Sequence, residues 1–322
     1  MRTWRLNELG EPLEQLRLVE AEAPAPGVGK VSVQVEAVGL AFPDVLMCRG
    51  EYQAKTPPGF TPGGETAGVI AALGPEVEGL EVGQRVVFTG GGLAETVVVA
   101  ATGVFTVPDG VAPATAAAIP INYGTTWFAL HDRARLQAGE WLLVTGAAGG
   151  TGTAAIQLGR AAGAKVVAVA GGDTKVQLCR DLGAEVVIDH HETPDWVDEV
   201  RAATGGGVDV AYDPVGGDTF HQVRRCMAWD GRLLVIGFVA GIPSAPTNHA
   251  LLKNYSIVGV HWGASLARRP ESLGEQMRSV LALAVTGEVD PPLYPPYRFE
   301  GAAQALQDLA DRKTYGKVVV EI

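Results

Sequence analysis

Between about Asn122 and Val260, short apolar strands alternate with helical stretches in a regular β-α order, a pattern that few architectures accept. The strands are predicted at 141–144, 165–169, 185–188, 208–211, 232–236 and 256–260. Six near-continuous apolar strands joined by crossover helices predict a parallel sheet covered on both faces. The helices expected over 152–162 and 174–182 stop at Gly163 and Gly183, where a left-handed residue is expected to end each one.

Outside this block the texture changes. Up to about Pro120 the apolar runs are short and β-branched, at 31–35, 85–88 and 96–99, with Gly and Pro between them, which reads as strand-rich and turn-rich. After 262 come a helical stretch at 271–285, a Pro-rich passage at 291–296, a helix at 302–311 and a strand at 317–320. These last sixty residues are too few for a domain and are expected to rejoin the first 120. The expected domains are therefore 1–121 with 262–322, and an inserted α/β unit at 122–261. The cleft between them is the expected ligand site.

Composition narrows the function. The 42 glycines among 322 residues follow no Gly-X-Y period, so they serve tight backbone at turns or at a ligand. A net charge of -11 argues against nucleic acid, which is held by clustered Lys and Arg. The three cysteines, Cys48, Cys179 and Cys226, lie far apart, which excludes a disulfide framework or a four-thiolate zinc site and favours a reducing compartment. The first residues lack the apolar core of a signal peptide, and no run of about 18 apolar residues occurs. The expectation is a cytoplasmic protein with a small-molecule ligand, without nucleic-acid or membrane partners.

The first strand of the α/β block runs into Gly146-Ala147-Ala148-Gly149-Gly150-Thr151-Gly152 and then into helix. In a βαβ context, small residues let the backbone approach a pyrophosphate, which the helix N–H groups and dipole attract. The alternative is close helix-on-strand packing alone. The second strand ends at Ala170-Gly171-Gly172 with no carboxylate to hold ribose hydroxyls or repel a 2′-phosphate. Asp173 is read as the N-cap of the next helix. Lys175, in its first turn, can reach a 2′-phosphate, or else is a solvated helix residue.

These motifs resemble the medium-chain dehydrogenase/reductase superfamily, in its zinc-free quinone oxidoreductase branch, over nearly the whole chain. The segment 39–46 with Arg49-Gly50-Glu51-Tyr52 resembles the family's cofactor-facing loop, and Pro62-Gly63-Gly64-Glu65-Thr66-Ala67-Gly68 its PGxExxG turn. Asn122-Tyr123-Gly124-Thr125-Thr126, the glycine turn, Tyr212-Asp213-Pro214-Val215-Gly216-Gly217 and Gly316-Lys317-Val318-Val319 follow in order. The resemblance implies a Rossmann dinucleotide-binding domain inserted in a GroES-like domain, with NADPH as cofactor. It implies that Tyr52 packs near the nicotinamide and that Ala148, Gly149, Gly150, Thr151 and Gly152 bind the pyrophosphate. Gly171, Gly172 and Lys175 then surround the adenosine phosphate, and His190 lies beside the adenosine ribose. Ile236, Gly237 and Phe238, with His261, Trp262 and Gly263, line the nicotinamide end. For Tyr52, His190 and the pair His261 and Trp262, the alternatives are a cleft-lining aromatic, a surface histidine and a hinge-packing cluster. Two positions depart from the family: Ala41 stands where relatives carry an Asn that touches the nicotinamide amide, leaving that contact to Thr126 or backbone groups, and Gly172 stands where many carry a phosphate-binding Ser.

The zinc-bearing relatives place a catalytic His in a Gly-His-Glu turn, which here reads Gly63-Gly64-Glu65. Asp44 and Glu65 alone make a poor zinc site, so no metal is expected and both are read as structural hydrogen-bonding groups. Reduction of an isolated carbonyl needs a Lewis acid or strong proton donor, whereas a quinone or α,β-unsaturated carbonyl spreads the arriving charge over a conjugated system. The expected activity is an NADPH-dependent quinone oxidoreductase, with water or Tyr52 delivering the proton. The alternatives are an enoyl, 2-alkenal or acyl-thioester reductase, and a non-catalytic NADPH-binding protein. The last parallel strand, 256–260, is expected at an open sheet edge, where it would pair two copies into a homodimer.

Overall fold

The β-branched runs of the amino-terminal part become strands because their side chains pack on a pleated, half-buried surface. The computed structural model describes residues 1–322, which divide into two compact units, Met1–Asn122 with Met277–Thr286 and Asp290–Ile322, and Tyr123–Gln276 with Gly287–Val289.

In the first unit, β1 (Arg2–Leu6) pairs antiparallel with β2 (Leu16–Glu20). The strands β3 (Lys30–Leu40), β4 (Glu65–Leu73), β5 (Arg85–Thr89), β6 (Thr96–Ala100) and β7 (Val104–Thr106) build the larger sheet around the long β3. Val31, Val33, Ile70, Val86, Phe88 and Val104 form one of its cores. Part of the segment that resembles the cofactor-facing loop is helical, α1 (Phe42–Arg49), and Gly50 closes it at φ +73. Pro43 is tolerated there because the first helical turn has no intrahelical acceptor for its amides. The helix α2 (Pro120–Trp127) begins in this unit, but Thr126 and the π-helix that continues it over Phe128–Arg133 belong to the second.

The second unit is a single six-stranded parallel sheet. Its strands are β8 (Trp141–Val144), β9 (Lys165–Ala170), β10 (Val186–Asp189), β11 (Val208–Asp213), β12 (Met227–Val235) and β13 (Ser256–Gly259), in the order β10-β9-β8-β11-β12-β13. This is the doubly wound order, which sets β8 beside β11 and makes the carboxyl ends of the strands the place where a ligand is received. Helix α3 (Gly150–Ala161) follows β8, and α4 (Asp173–Asp181) follows β9. Leu143, Val167, Ile188, Trp196, Val200, Phe220 and Leu233 belong to its core. Gly163 and Gly183, at φ +78 and +81, follow the ends of α3 and α4.

One local expectation is corrected. Gly172, at φ +85, is the N-cap of α4, and Asp173 is its first helical residue. The chain turns sharply at 172 in a conformation that glycine adopts readily, so the helix starts one position earlier than a side-chain cap at Asp173 requires.

The chain then returns to the first unit, where β14 (Tyr297–Arg298) and β15 (Val318–Glu321) complete the larger sheet in the order β14-β15-β3-β4-β5-β7, with β6 also on β3. Val318 stands opposite Leu40. Val35, Leu40, Val45, Phe299, Leu306 and Val320 pack in the core behind them. No helix is long and apolar enough to cross a membrane.

Candidate functional site

The turn after β8 is pinned to the sheet from both sides. Thr145 N–H donates to the Tyr212 carbonyl (3.1 Å) and Ala147 N–H to the Val169 carbonyl (3.1 Å), while Gly149 N–H closes the turn on the Gly146 carbonyl (3.0 Å). Gly152 is required by this closeness, since a Cβ there would lie 2.4 Å from the Gly146 carbonyl oxygen and 2.7 Å from Ala147 Cα. The N-cap of α3 is Gly149, which is exposed and brings no side-chain acceptor, and Gly150 and Thr151 are half-buried behind it. The N–H groups that open α3 lack acceptors within the helix, and its dipole adds positive character. A pyrophosphate fits this start without displacing a side chain. Ala148 is buried at the base of the turn.

Next to it, the tip of β9 is built from Gly171 and Gly172. Gly172 N–H donates to both oxygens of the Asp189 carboxylate (3.2 and 3.1 Å), and His191 N–H donates to the same group (2.9 Å). These backbone donors hold the Asp189 pKa below its ordinary value. The rings of His190 and His191 meet edge to face with centroids 4.6 Å apart. Lys175 stands in the first turn of α4, half-buried. The His190 pKa is lowered, first by burial and then by His191 and Lys175.

At the carboxyl ends of β8 and β11 a buried polar belt replaces the apolar strand interior. Thr126 Oγ1 and the Tyr212 hydroxyl are 2.9 Å apart, and both residues are fully buried. Burial pushes the Tyr212 phenol up to about 12 against the pull of hydrogen bonds to Thr126 and Thr151. Asp213 Oδ1 accepts from Thr145 Oγ1 (2.7 Å), Val215 N–H (3.0 Å) and Gly216 N–H (3.2 Å), so one carboxylate links the turns after both strands. Ile236 N–H donates to the Asp213 carbonyl (3.0 Å), which brings 236–238 beside that turn; Phe238 is exposed there. Trp262 is buried, its indole N–H donates to Gln276 Oε1 (2.8 Å) and its ring packs against Gly124, whereas His261 and Gly263 on either side are exposed.

Tyr52 lies in the first unit, half-buried, its phenol pKa raised by burial and then by the Asp44 charge. Asp44 accepts from Ala41 N–H (2.9 Å) and Gly63 N–H (3.0 Å), and Glu65 accepts from Ile121 N–H (2.7 Å) while its other oxygen receives the Lys317 ammonium. Burial raises the Asp44 pKa and lowers that of Lys317, which Asp44 pulls back up. Both carboxylates are thus committed to internal donors.

The second unit therefore brings together the glycine turn, the β9 tip, His190 and the 236–238 segment along one edge of one sheet. Sequence reasoning passed over Tyr212 as a partner of Thr126, Asp213 as the link between turns, His191 beside His190, and Lys317 on Glu65. Of these, only the Tyr212-Asp213 step carried a local signal, a polar pair ending an apolar strand.

A parallel sheet in this order with a glycine turn after its first strand defines a dinucleotide-binding unit. The family described as Zinc-binding dehydrogenase matches residues 150–281, and that described as Alcohol dehydrogenase GroES-like domain matches residues 27–109. Quinone oxidoreductase-like protein 2 of Rattus norvegicus is 36% identical over 321 residues, covering 98% of this chain and 90% of its own. The quinone oxidoreductase of Thermus thermophilus, solved also in complex with NADPH, is 35% identical with a TM-score of 0.86 over 100% of both chains. CurK enoyl reductase is 26% identical with a TM-score of 0.88 over 99% of this chain and 98% of its own. The chain belongs to the medium-chain dehydrogenase/reductase superfamily, in its zinc-free quinone oxidoreductase branch, and is an oxidoreductase of that family.

Proposed function

We propose that the chain is an NADPH-dependent quinone oxidoreductase that reduces a conjugated carbonyl acceptor without a metal. The observation that carries this reading is the open, glycine-capped start of α3 beside a β9 tip that presents imidazoles and Lys175 and no ribose-binding carboxylate side chain of its own, in a chain matched over its full length by a quinone oxidoreductase solved with NADPH. NADPH, when bound, supplies the hydride.

The first-turn N–H groups of Gly150, Thr151 and Gly152 hold the pyrophosphate, with Ala148 and Gly149 forming the turn beneath it. Gly171, Gly172 and Lys175 receive the adenosine 2′-phosphate, and His190 flanks the ribose. Thr126, Ile236, Gly237, Phe238, His261 and Gly263 face the nicotinamide end, and Trp262 acts there by holding its neighbours through Gln276. Burial keeps the Tyr52 phenol protonated, which suits it to hand a proton to a reduced acceptor or to orient the water that does. A quinone or enone spreads the arriving negative charge, so hydrogen bonds and exclusion of water suffice to stabilise it.

Steady-state turnover of a small quinone with NADPH and with NADH tests this reading. Faster turnover with NADPH is expected, and no turnover with either cofactor sinks it. The likeness to CurK enoyl reductase supports a second reading, reduction of an enone or acyl thioester by the same hydride chemistry. A preference above about tenfold among crotonyl thioester, enone and quinone acceptors decides between them, an energy difference of about 1.4 kcal/mol.

We further propose a cytoplasmic homodimer. The cysteines Cys48, Cys179 and Cys226 are free and buried, which suits a reducing compartment. The edge strand β13 leaves one side of its backbone unpaired, with Ile257 40% exposed, and supports pairing with a second copy. Sedimentation as a monomer would remove the dimer.

A further inference from the structure

Asn122 is only 5% exposed, and its side-chain amide makes no hydrogen bond within the chain. The two other buried amides are engaged: Gln157 Oε1 accepts from the Tyr123 hydroxyl (2.8 Å), and Gln276 lies between the Trp262 indole and Asp132. The side-chain polar atoms that are both unpaired and sealed from solvent are His249 Nδ1 and Gln307 Oε1, so the Asn122 amide opens onto accessible space. An amide held at this depth with both ends unpaired is arranged to meet a ligand, or the water that the ligand displaces. Its place is fixed by charge. Glu65 Oε1 accepts from the backbone N–H of Ile121 (2.7 Å) and of Asn122 (3.4 Å), while the Lys317 ammonium holds the other oxygen, so the first turn of α2 is anchored on a buried ion pair. A Cβ on Gly64 would lie 2.7 Å from Ile121 Cδ1 and 3.7 Å from both Asp44 oxygens, which sets the Gly63-Gly64-Glu65 turn between the start of α2 and the start of α1. Tyr52 belongs to the same unit, and the Asp44 charge acts on its phenol. Asn122 also stands four residues before Thr126, one turn away on the same face of α2.

We propose that Asn122 is a catalytic residue whose side-chain amide donates a hydrogen bond to the acceptor oxygen that gains negative charge as hydride reaches the conjugated system. The inference rests on the hydride-transfer reading above and adds the donor for the developing charge. Asp44 and Glu65 accept from internal donors and Lys317 is held by Glu65, so none of these charged groups is free to serve the acceptor. A further negative charge forming beside two buried carboxylates requires a donor of its own, already in place when the charge arrives. The neutral amide of Asn122 meets that requirement from a fixed helix turn.

Asn122→Leu and Asn122→Ala, assayed with NADPH and with benzoquinone or cyclohexenone as acceptor, test the proposal. Neither variant loses a side-chain bond within the chain, so both are expected to fold, with urea midpoints near that of wild type. In both, kcat/KM for the acceptor is expected to fall about a hundredfold, mainly through kcat, while the NADPH affinity of the free enzyme, read by fluorescence titration, changes by less than about twofold. An equal loss of NADPH affinity overturns the proposal, because it places the amide on the cofactor. A loss confined to Asn122→Leu marks crowding and overturns it, as does no loss in either variant. Failure of both variants to fold makes the amide structural and also overturns it. A wild type that reduces neither acceptor overturns the function proposed above and this role with it, whereas an active wild type with unaffected variants overturns this role alone.

Discussion

Lys317 sets its ammonium directly on the Glu65 carboxylate in the interior of the first unit, where the two side chains are 3% and 0% exposed. The two residues are 252 positions apart in sequence, and the pair ties the residue just before β15 to the first residue of β4. Glu65 also receives the N–H of Ile121 in the first turn of α2, so one carboxylate joins two strands and a helix start. Removing one member of a buried pair leaves the other charge uncompensated, which costs more than the pair itself contributes. Lys317→Met is expected to lose about 3–5 kcal/mol of unfolding free energy in urea denaturation, and the double variant Lys317→Met with Glu65→Gln to regain at least half. A double variant as unstable as the single one would show that the ammonium acts by packing alone.

Tyr212 and Thr126 share a buried hydroxyl hydrogen bond at the head of the parallel sheet, 2.9 Å long. Tyr212→Phe keeps the ring and leaves Thr126 without that partner. It is expected to cost about 1 kcal/mol, as is Thr126→Val, and the double variant is expected to cost less than the sum because both remove the same bond. If Thr126 stands at the nicotinamide end as proposed, a shift of its hydroxyl is expected to lower kcat by about tenfold and to leave the NADPH KM nearly unchanged. A rise in KM alone would assign the pair to cofactor affinity instead.

Asp213 yields a pH prediction with a definite sign. Burial raises its pKa, and the three donors on Oδ1 reduce that shift without cancelling it. A carboxyl with a raised folded pKa binds its proton more readily in the folded chain than in the unfolded one. Its contribution to stability therefore grows as pH falls through the raised value, is complete below the ordinary ~3.9, and is lost as pH rises. Asp213→Asn keeps an oxygen acceptor for Thr145, Val215 and Gly216 and removes the charge. The stability of the variant relative to wild type is expected to be greatest near neutral pH and to shrink on acidification, measured by denaturant titration at a series of pH values. A difference that does not change with pH removes Asp213 as a titrating group.

The parallel sheet was readable because each strand is a short apolar run buried on both faces: β8 occupies 141–144 as the pattern required, and the other strands begin or end within two residues of expectation except β12. That strand starts at Met227, five residues early, because Met227 pairs with Val208 and the chain then bulges through Trp229-Asp230-Gly231, with Asp230 at φ +59, before Arg232 pairs with Val210. The π-helix at Phe128–Arg133 has no periodic signature distinct from the α-helix before it. At the site, the glycine turn could be read because it is local and contiguous. The pairs that arrange its surroundings could not, since Thr126 with Tyr212 and Glu65 with Lys317 are joined only by the topology.

Gly152 offers the most direct test of the proposed pyrophosphate turn. Its conformation is ordinary for a helix start, so the requirement for glycine comes from space: a Cβ would meet the Gly146 carbonyl oxygen at 2.4 Å and the Ala147 carbonyl oxygen at 2.7 Å, both of them backbone atoms that cannot rotate away. The methyl group of Gly152→Ala must therefore lift the first turn of α3 from the Gly146-Ala147 turn, displacing the N–H groups of Gly150 and Thr151 that are proposed to meet the phosphates. The seven residues of α3 that follow, Thr153 to Gly159, are all buried, which keeps the unit folded. The expected result is a loss of about tenfold or more in NADPH affinity by fluorescence titration, equal for NADH because the pyrophosphate is common to both, with the far-ultraviolet circular dichroism unchanged. Loss of affinity for NADPH alone would move the effect to the 2′-phosphate end, and unchanged affinity for both would take the pyrophosphate away from α3.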